Sequence, residues 1–380
     1  MDNNQSKIRI LHVAQAAGGV DRYIRMLFKY MNHSSFENIL ICSHDFKRED
    51  YKGLADEFEQ VDMQRQIGKA DVIAMKKVRK LIKKYKPDIV YAHSSKAGAI
   101  ARTANIGMGC KCIYNPHGWA FNMRCSKKKQ LLYAVIEKLY SHFCDKIICI
   151  SESEKMTALN KKICKSNKLQ VILNGVDIEE YVQRKTAGLS NVCRKNLGIP
   201  ENAFVVGMVG RISTQKAPDV FIKAARLIKE QIPESFFIIV GDGEQRDVIE
   251  EYAQKYNFYN SLKITGWVEN ALDYVDLFDV AMLLSRWEGF GLALPEYMLA
   301  GKPIVASNVD AIPSIIDDGQ NGLLVEADNA EQASVAVIRL FKDSELRTAL
   351  TKQGSITVHE KYDAKRVSLE NEYIILSILH

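Results

Sequence analysis

No apolar run in this 380-residue chain approaches the roughly 20 residues a membrane-spanning helix needs, which excludes an integral helical membrane protein. The N-terminal stretch MDNNQSKIR leads straight into the apolar segment 8–14, too short and wrongly flanked for a secretory signal, so a cytoplasmic protein is expected. The eight cysteines form no C-x2-C pair and have no matching histidine set, which argues against zinc. Most sit in apolar stretches such as KIICI, as buried thiols of a reducing compartment do. Low-complexity tracts and short-period repeats are missing as well.

What is present is the composition of a globular protein, 47% hydrophobic and 26% charged, in a chain long enough for two domains. Its net charge of +6 is uneven: residues 1–180 hold 31 Lys+Arg against 19 Asp+Glu, leaving 21 against 27 for residues 181–380. Cations cluster at 76–86, at Lys127, Lys128 and Lys129, and at Lys161, Lys162, Lys165 and Lys168. Each cluster fits a solvated helix face; together they also suit an anionic membrane leaflet or an anionic acceptor. They lack the interleaved aromatics of a recognisable nucleic-acid motif, so no nucleic-acid partner is expected.

Ile- and Val-rich runs at 8–14, 38–42, 88–92, 111–114, 146–150 and 169–173 read as buried parallel strands. Amphipathic stretches at 23–31, 73–85 and 127–143 make them a βαβ series. The pattern restarts with strands at 203–209, 236–240, 262–265, 280–285 and 303–306, and helices at 217–231, 244–256 and 330–341. Asn174-Gly175-Val176-Asp177 and the polar stretch to about 202 carry turn chemistry without strong periodicity, which places the hinge there. The expected domains are 1–174 and 175–360, with amphipathic 361–380 packing back on the first. Two doubly wound α/β domains would set their ligand crevices along a shared cleft.

Glu288 and Glu296 bracket EGFGLALPE, a glycine-flanked turn into a helix starting near Gly291, with Glu296 two turns in. A helix start offers N–H groups to an anion and the carboxylates accept from hydroxyls, a combination suited to a nucleotide-sugar; a capped surface helix is the plain alternative. Arg211 and Lys216 lie on the loop after strand 203–209 and suit a diphosphate, if they are not merely solvated cations. Gly18 and Gly19 allow close backbone approach as a helix begins, or make a simple βα turn. His117, in Pro116-His117-Gly118-Trp119, can bond a hydroxyl, stabilise developing charge, or simply pack. Asp242 and Glu244 resemble a D-x-D pair, but their glycines read as a turn, with Glu244 in the first helical turn, and no metal is expected.

Arg211 with Lys216, then GDGE at 241–244, Gly266-Trp267-Val268, the E-x7-E element and Gly301-Lys302-Pro303 follow an order that resembles the family 4 retaining glycosyltransferases. The resemblance extends over essentially the whole chain and is strongest over 205–325. It implies the GT-B architecture of two Rossmann-like domains facing a cleft, with the C-terminal helix crossing back to the first. It further implies that Glu296 binds the donor ribose, Glu288 the transferred sugar, and Arg211 and Lys216 the diphosphate. Gly289, Phe290, Gly291 and Leu292 would complete the pocket by their backbone. Gly266, Trp267 and Val268 would hold the base, Gly18 and Gly19 would lie near phosphates and acceptor, and His117 near the donor sugar. Asp310-Ala311-Ile312-Pro313-Ser314 departs from the family's Gly-Gly and Pro-Glu steps.

These expectations describe a metal-independent hexosyltransferase without cofactor, moving sugar from a nucleoside diphosphate donor, UDP-linked on this reading, to a glycan or lipid-diphosphate-linked acceptor. Surface polysaccharide assembly at the inner membrane face is the expected setting. A phosphorylase would need a cofactor-bearing lysine and a longer chain. A non-catalytic sugar- or nucleotide-binding protein of the same fold is the competing reading, and release of free nucleoside diphosphate separates the two.

Overall fold

A computed structural model describes residues 6–64, 68–123 and 125–379; residues 1–5, which open the N-terminal stretch read above, lie outside it. The chain divides into two units, Met1–Gly175 with Ala364–His380, and Val176–Asp363.

The first unit runs β1 (Ile8–Ala14), α1 (Gly19–Tyr30), β2 (Phe36–Cys42), β3 (Glu57–Gln60), α2 (Lys69–Tyr85), β4 (Ile89–His93), α3 (Ser95–Asn105), β5 (Lys111–Asn115), α4 (Lys127–Tyr140), β6 (Lys146–Cys149), α5 (Glu152–Asn160) and β7 (Leu169–Val171). The second runs α6 (Ile178–Thr186), β8 (Phe204–Val209), α7 (Pro218–Gln231), β9 (Ser235–Val240), α8 (Arg246–Lys255), β10 (Leu262–Ile264), α9 (Leu272–Val275), β11 (Val280–Leu283), α10 (Ala293–Leu299), β12 (Ile304–Ser307), β13 (Leu323–Val325), α11 (Ala330–Lys342) and α12 (Ser344–Lys361). The last helix, α13 (Ala364–Leu379), belongs to the first unit.

Both sheets are parallel, ordered β3-β2-β1-β4-β5-β6-β7 and β10-β9-β8-β11-β12-β13. Strand order therefore reverses between β1 and β4 in one unit and between β8 and β11 in the other, and ligands of such folds bind beyond the strand C-termini at that point. Helices on both faces explain the Ile/Val-rich runs. In β1, Leu11 and Val13 join a core with α2 and α3, whereas Ile10 and Ala14 face α1 and α13. Asn371 of α13 donates to the Tyr23 hydroxyl at 3.0 Å and accepts from the Tyr91 hydroxyl at 2.8 Å, and Ser368 donates to the Leu27 carbonyl at 3.0 Å.

Several expectations need correction. The stretch expected to be turn contains α6, whose Asp177 N-cap accepts from the Glu180 amide at 2.8 Å. α10 starts at Ala293 rather than Gly291, which puts Glu296 in its first turn instead of its second. α8 starts at Arg246, so Glu244 precedes the helix.

Candidate functional site

In the second unit the site starts where β8 ends. Gly210, with φ of 153°, turns the chain into Arg211–Lys216, and a Cβ there would lie 3.4 Å from Lys216 Cγ, so its bare face runs along the lysine stem. The 241–244 turn closes onto this loop: a Cβ on Gly243 would overlap the Ile212 carbonyl, and the Ile212 amide donates to the Asp242 carbonyl at 2.9 Å.

β11 delivers the second loop. Its Glu288 Oε2 accepts from Lys216 Nζ at 2.5 Å and from the buried Ser285 hydroxyl at 3.1 Å. The side chains of Lys216 and Glu288 are only 18% and 10% exposed, so this charge-assisted bond is shielded from water. Asp310 accepts from the Glu288 amide at 2.9 Å, so the segment that departs from the family pattern anchors this loop directly. Gly291, with φ of 90°, brings its Cα side against Glu288, 3.2 Å from a built Cβ to Cγ. Phe290 is buried against Tyr362, while Glu296 is buried in α10.

Arg286 was not singled out from sequence, yet it ties the two loops together. It donates to Asp219 at 2.7 Å, to Asp328 at 2.5 Å and to the Thr214 carbonyl at 2.9 Å, while its own amide donates to the Gln215 carbonyl at 2.8 Å. The only local signal is its place beside Trp287-Glu288.

The other expected residues are placed as follows. Arg211 pairs with Glu244 at 3.2 Å, both more than half exposed, and Asp242 accepts from Arg246 at 3.1 Å. Gly266, with φ of 74°, bridges to Gly241, Trp267 is 70% exposed and Val268 is half-buried. Leu292 is the N-cap of α10, and Gly289 lies between Glu288 and buried Phe290.

In the first unit Gly18, with φ of 100°, is the N-cap of α1, and Gly19 is its first residue. His117 is in a left-handed conformation with φ of 51°, its amide donating to Asn115 Oδ1 at 2.9 Å. It ends a chain of imidazoles: Asn38 Oδ1 to His12 Nε2 at 3.3 Å, His12 Nδ1 to His93 Nε2 at 3.1 Å, His93 Nδ1 to His117 Nε2 at 3.0 Å. With the Asn38 carbonyl assigned toward His12, each ring donates one step inward, and His117 keeps Nδ1 as an acceptor. Burial lowers His117 and His12 to about 3 and His93 well below the usual imidazole range, so all three are neutral near pH 7. His12 and His93 carried no sequence signal, being single residues inside apolar strands.

Each unit is thus a doubly wound parallel sheet with its polar loops at the strand-order reversal, the building block of the two-domain GT-B class. The profile described as Glycosyl transferases group 1 matches residues 191–356, and that described as Glycosyltransferase Family 4 matches residues 17–180. The UDP-Gal:alpha-D-GlcNAc-diphosphoundecaprenol alpha-1,3-galactosyltransferase of Escherichia coli is 32% identical over 91% of each chain. An uncharacterized 41.2 kDa protein in the cps region of Klebsiella pneumoniae is 29% identical over 86% of this chain and 88% of its own. The Anabaena Alr3699/HepE structure in complex with UDP and glucose superposes with a TM-score of 0.83 at 20% identity, covering 97% of this chain and 100% of that one. The chain belongs to the family 4-type GT-B glycosyltransferases.

Proposed function

We propose that this glycosyltransferase moves a hexosyl group from a UDP-sugar, with retained anomeric configuration, to a hydroxyl of a lipid-diphosphate-linked glycan in bacterial surface polysaccharide assembly. The observation that carries the reading is the Lys216–Glu288 pair at the β8/β11 reversal. There a diphosphate drawing on Lys216 leaves Glu288 Oε2 to accept from a hydroxyl of the transferred sugar. Lys216 and Arg211 offset the charge that builds on the departing diphosphate, so no divalent cation is needed. Glu296 takes the ribose hydroxyls and the backbone of Gly289–Leu292 closes round the donor. Gly266, Trp267 and Val268 lie against the base, Gly18 and Gly19 approach the phosphates and acceptor, and His117 Nδ1 accepts from a sugar hydroxyl. No residue of the chain forms a covalent intermediate: the acceptor attacks on the leaving group's own face and a diphosphate oxygen takes its proton.

The activity named for the Escherichia coli relative supports the UDP-hexose donor and the lipid-diphosphate acceptor, and the cps-region relative supports the polysaccharide setting. Incubating the chain with a panel of UDP-, GDP- and ADP-hexoses and a polyprenyl-diphosphate N-acetylhexosamine, in EDTA, tests the reading. The expected result is UDP release matched by a lipid product one hexose heavier, with an unchanged anomeric signal by NMR. Turnover that needs a metal removes the proposed role of Arg211 and Lys216. Nucleotide binding without turnover on any pair would favour the binding-protein alternative.

A further inference from the structure

The loop that carries His117 is held by a buried acid from another element. Ser151 caps α5, its hydroxyl accepting from the Glu154 amide at 3.2 Å, and Glu154 in that first turn is buried. Its two carboxylate oxygens each take one backbone amide: Oε1 accepts from Trp119 at 3.2 Å and Oε2 from Ile150 at 3.2 Å. The Glu154 carbonyl adds a further link by accepting from the Trp119 indole N–H at 3.1 Å. Trp119 is buried and stacks on Phe121 with ring centroids 5.1 Å apart, so the residue two places after His117 is fixed by ring, indole and amide together.

Between Asn115 and Trp119 the backbone takes a costly path. His117, with φ of 51°, and Gly118, with φ of 115°, lie in succession at positive φ, and a non-glycine residue stays there only when its surroundings hold it. Asn115 Oδ1 holds one end through the His117 amide at 2.9 Å, and Glu154 holds the other through the Trp119 amide. A Cβ on Gly118 would stand 3.9 Å from Glu154 Oε1, so the carboxylate runs alongside the turn itself.

We propose that Glu154 is a positioning residue for the transfer: its ionised carboxylate, by taking both amides at once, holds the left-handed turn that aims His117, and proton uptake loosens that hold. A protonated carboxyl gives one oxygen over to an O–H, so one of the two amides loses its charge-assisted bond. The inference rests on the role proposed above for His117. Burial pushes the Glu154 carboxyl up to about 7, against the pull of the two amides, so the change falls near neutrality. Around it, burial keeps the Cys149 thiol of β6, the Cys164 thiol after α5 and the His117 ring neutral near pH 7. The neighbouring charges on α5 are Glu152, which is exposed, and Lys155, which is half-buried.

The test follows turnover at saturating donor and acceptor between about pH 5.5 and 8.5, using the UDP-hexose and polyprenyl-diphosphate N-acetylhexosamine that react in the panel above. The Trp119 and Ile150 amide resonances of the isotope-labelled whole chain are followed over the same range. Both substrates are diphosphate diesters with no ionisation of their own there. Parent turnover is expected to fall about tenfold as pH drops through the Glu154 midpoint, with both amide resonances moving through that midpoint. Glu154→Gln, a neutral isostere, gives a flat profile near the acid limit of the parent. Its stability difference between about pH 6 and pH 8 shrinks while its turnover at the higher pH falls, whereas a purely structural role would move stability and turnover together. A flat parent profile, an inflection that survives in Glu154→Gln, or amide resonances that stay fixed overturns the proposal. The resonances of the parent decide it even where the variant does not fold. His117→Ala turning over at the parent rate overturns it through the proposed function instead, and is recognised by amides that still titrate.

Discussion

Lys216→Met separates the charge of Lys216 from its packing. The methionine keeps most of the stem that lies along Gly210, so the loss is confined to the ammonium. Glu288 then keeps the Ser285 hydroxyl at 3.1 Å but loses its partner at 2.5 Å. For a pair 18% and 10% exposed, breaking one side costs less than the 3–5 kcal/mol of a fully buried pair, about 2 kcal/mol. If Lys216 also meets the departing diphosphate, turnover falls by a further hundredfold to a thousandfold, or about 2.7–4 kcal/mol of barrier. The two effects separate experimentally. Urea denaturation reports the first; UDP release per folded molecule, at saturating donor and acceptor, reports the second. Glu288→Gln in the same background tests the coupling: with the carboxylate neutralised, the stability loss of Lys216→Met should shrink by more than half. A Lys216→Met protein that is folded and turns over at the parent rate would refute the assignment, and equal stability losses in both backgrounds would refute the ion-pair accounting.

Arg286→Ala should reduce turnover at least about tenfold by loosening the tie between the Lys216 and Glu288 loops, with a stability loss of about 2 kcal/mol; a crystal structure with both loops unmoved would count against it. Gly207→Ala, whose added methyl would overlap the Phe278 ring, should cost about 1–3 kcal/mol, read by denaturation. Stability should also depend on pH through the imidazole chain. His12, His93 and His117 are held below their unfolded value near 6.5, so their contribution is full above it and lost as pH falls below it, toward about 3 for His12 and His117. Glu154, pushed up to about 7 by desolvation, works the other way, losing its contribution as pH rises from 4.5 through that value. Three rings against one carboxyl predict lower stability near pH 5 than near pH 7 in urea titrations, and a smaller difference in His93→Phe; equal stabilities would contradict the burial argument.

The strands were legible because parallel strands buried on both faces leave unbroken Ile/Val runs, and β1 was read with the bounds the structure gives it. β3 escaped because EFEQ sits at the sheet edge and buries Phe58 alone, so neither a run nor an alternation forms. α6 is only nine residues long and buries none of them completely, so its one short apolar face, Ile178, Tyr181 and Val182, is hard to read among charged neighbours. α12 hides for a different reason: Gly354 lies inside it, a poor helix former tolerated because it packs on Met298 of α10. For the site, the sequence marked the loops bearing Lys216 and Glu288, but not their bond across 72 positions. Arg286 stayed hidden because Asp219 and Asp328 are 67 and 42 positions away, and such pairings come only from topology. The imidazole chain has the same origin, since adjacent β1 and β4 bring His12 and His93 side by side from 81 positions apart.

The return of α13 to the first unit has a consequence for synthesis. Tyr23, Tyr91 and the Leu27 carbonyl bond Asn371 and Ser368, which a ribosome makes only after the whole of the second unit. The unit translated first is thus completed only after the second has been made, with a greasy seam along α1 uncovered while that second unit matures. Trimming the chain after Asp363 would leave that seam permanently bare, a route to aggregation rather than to a smaller working enzyme.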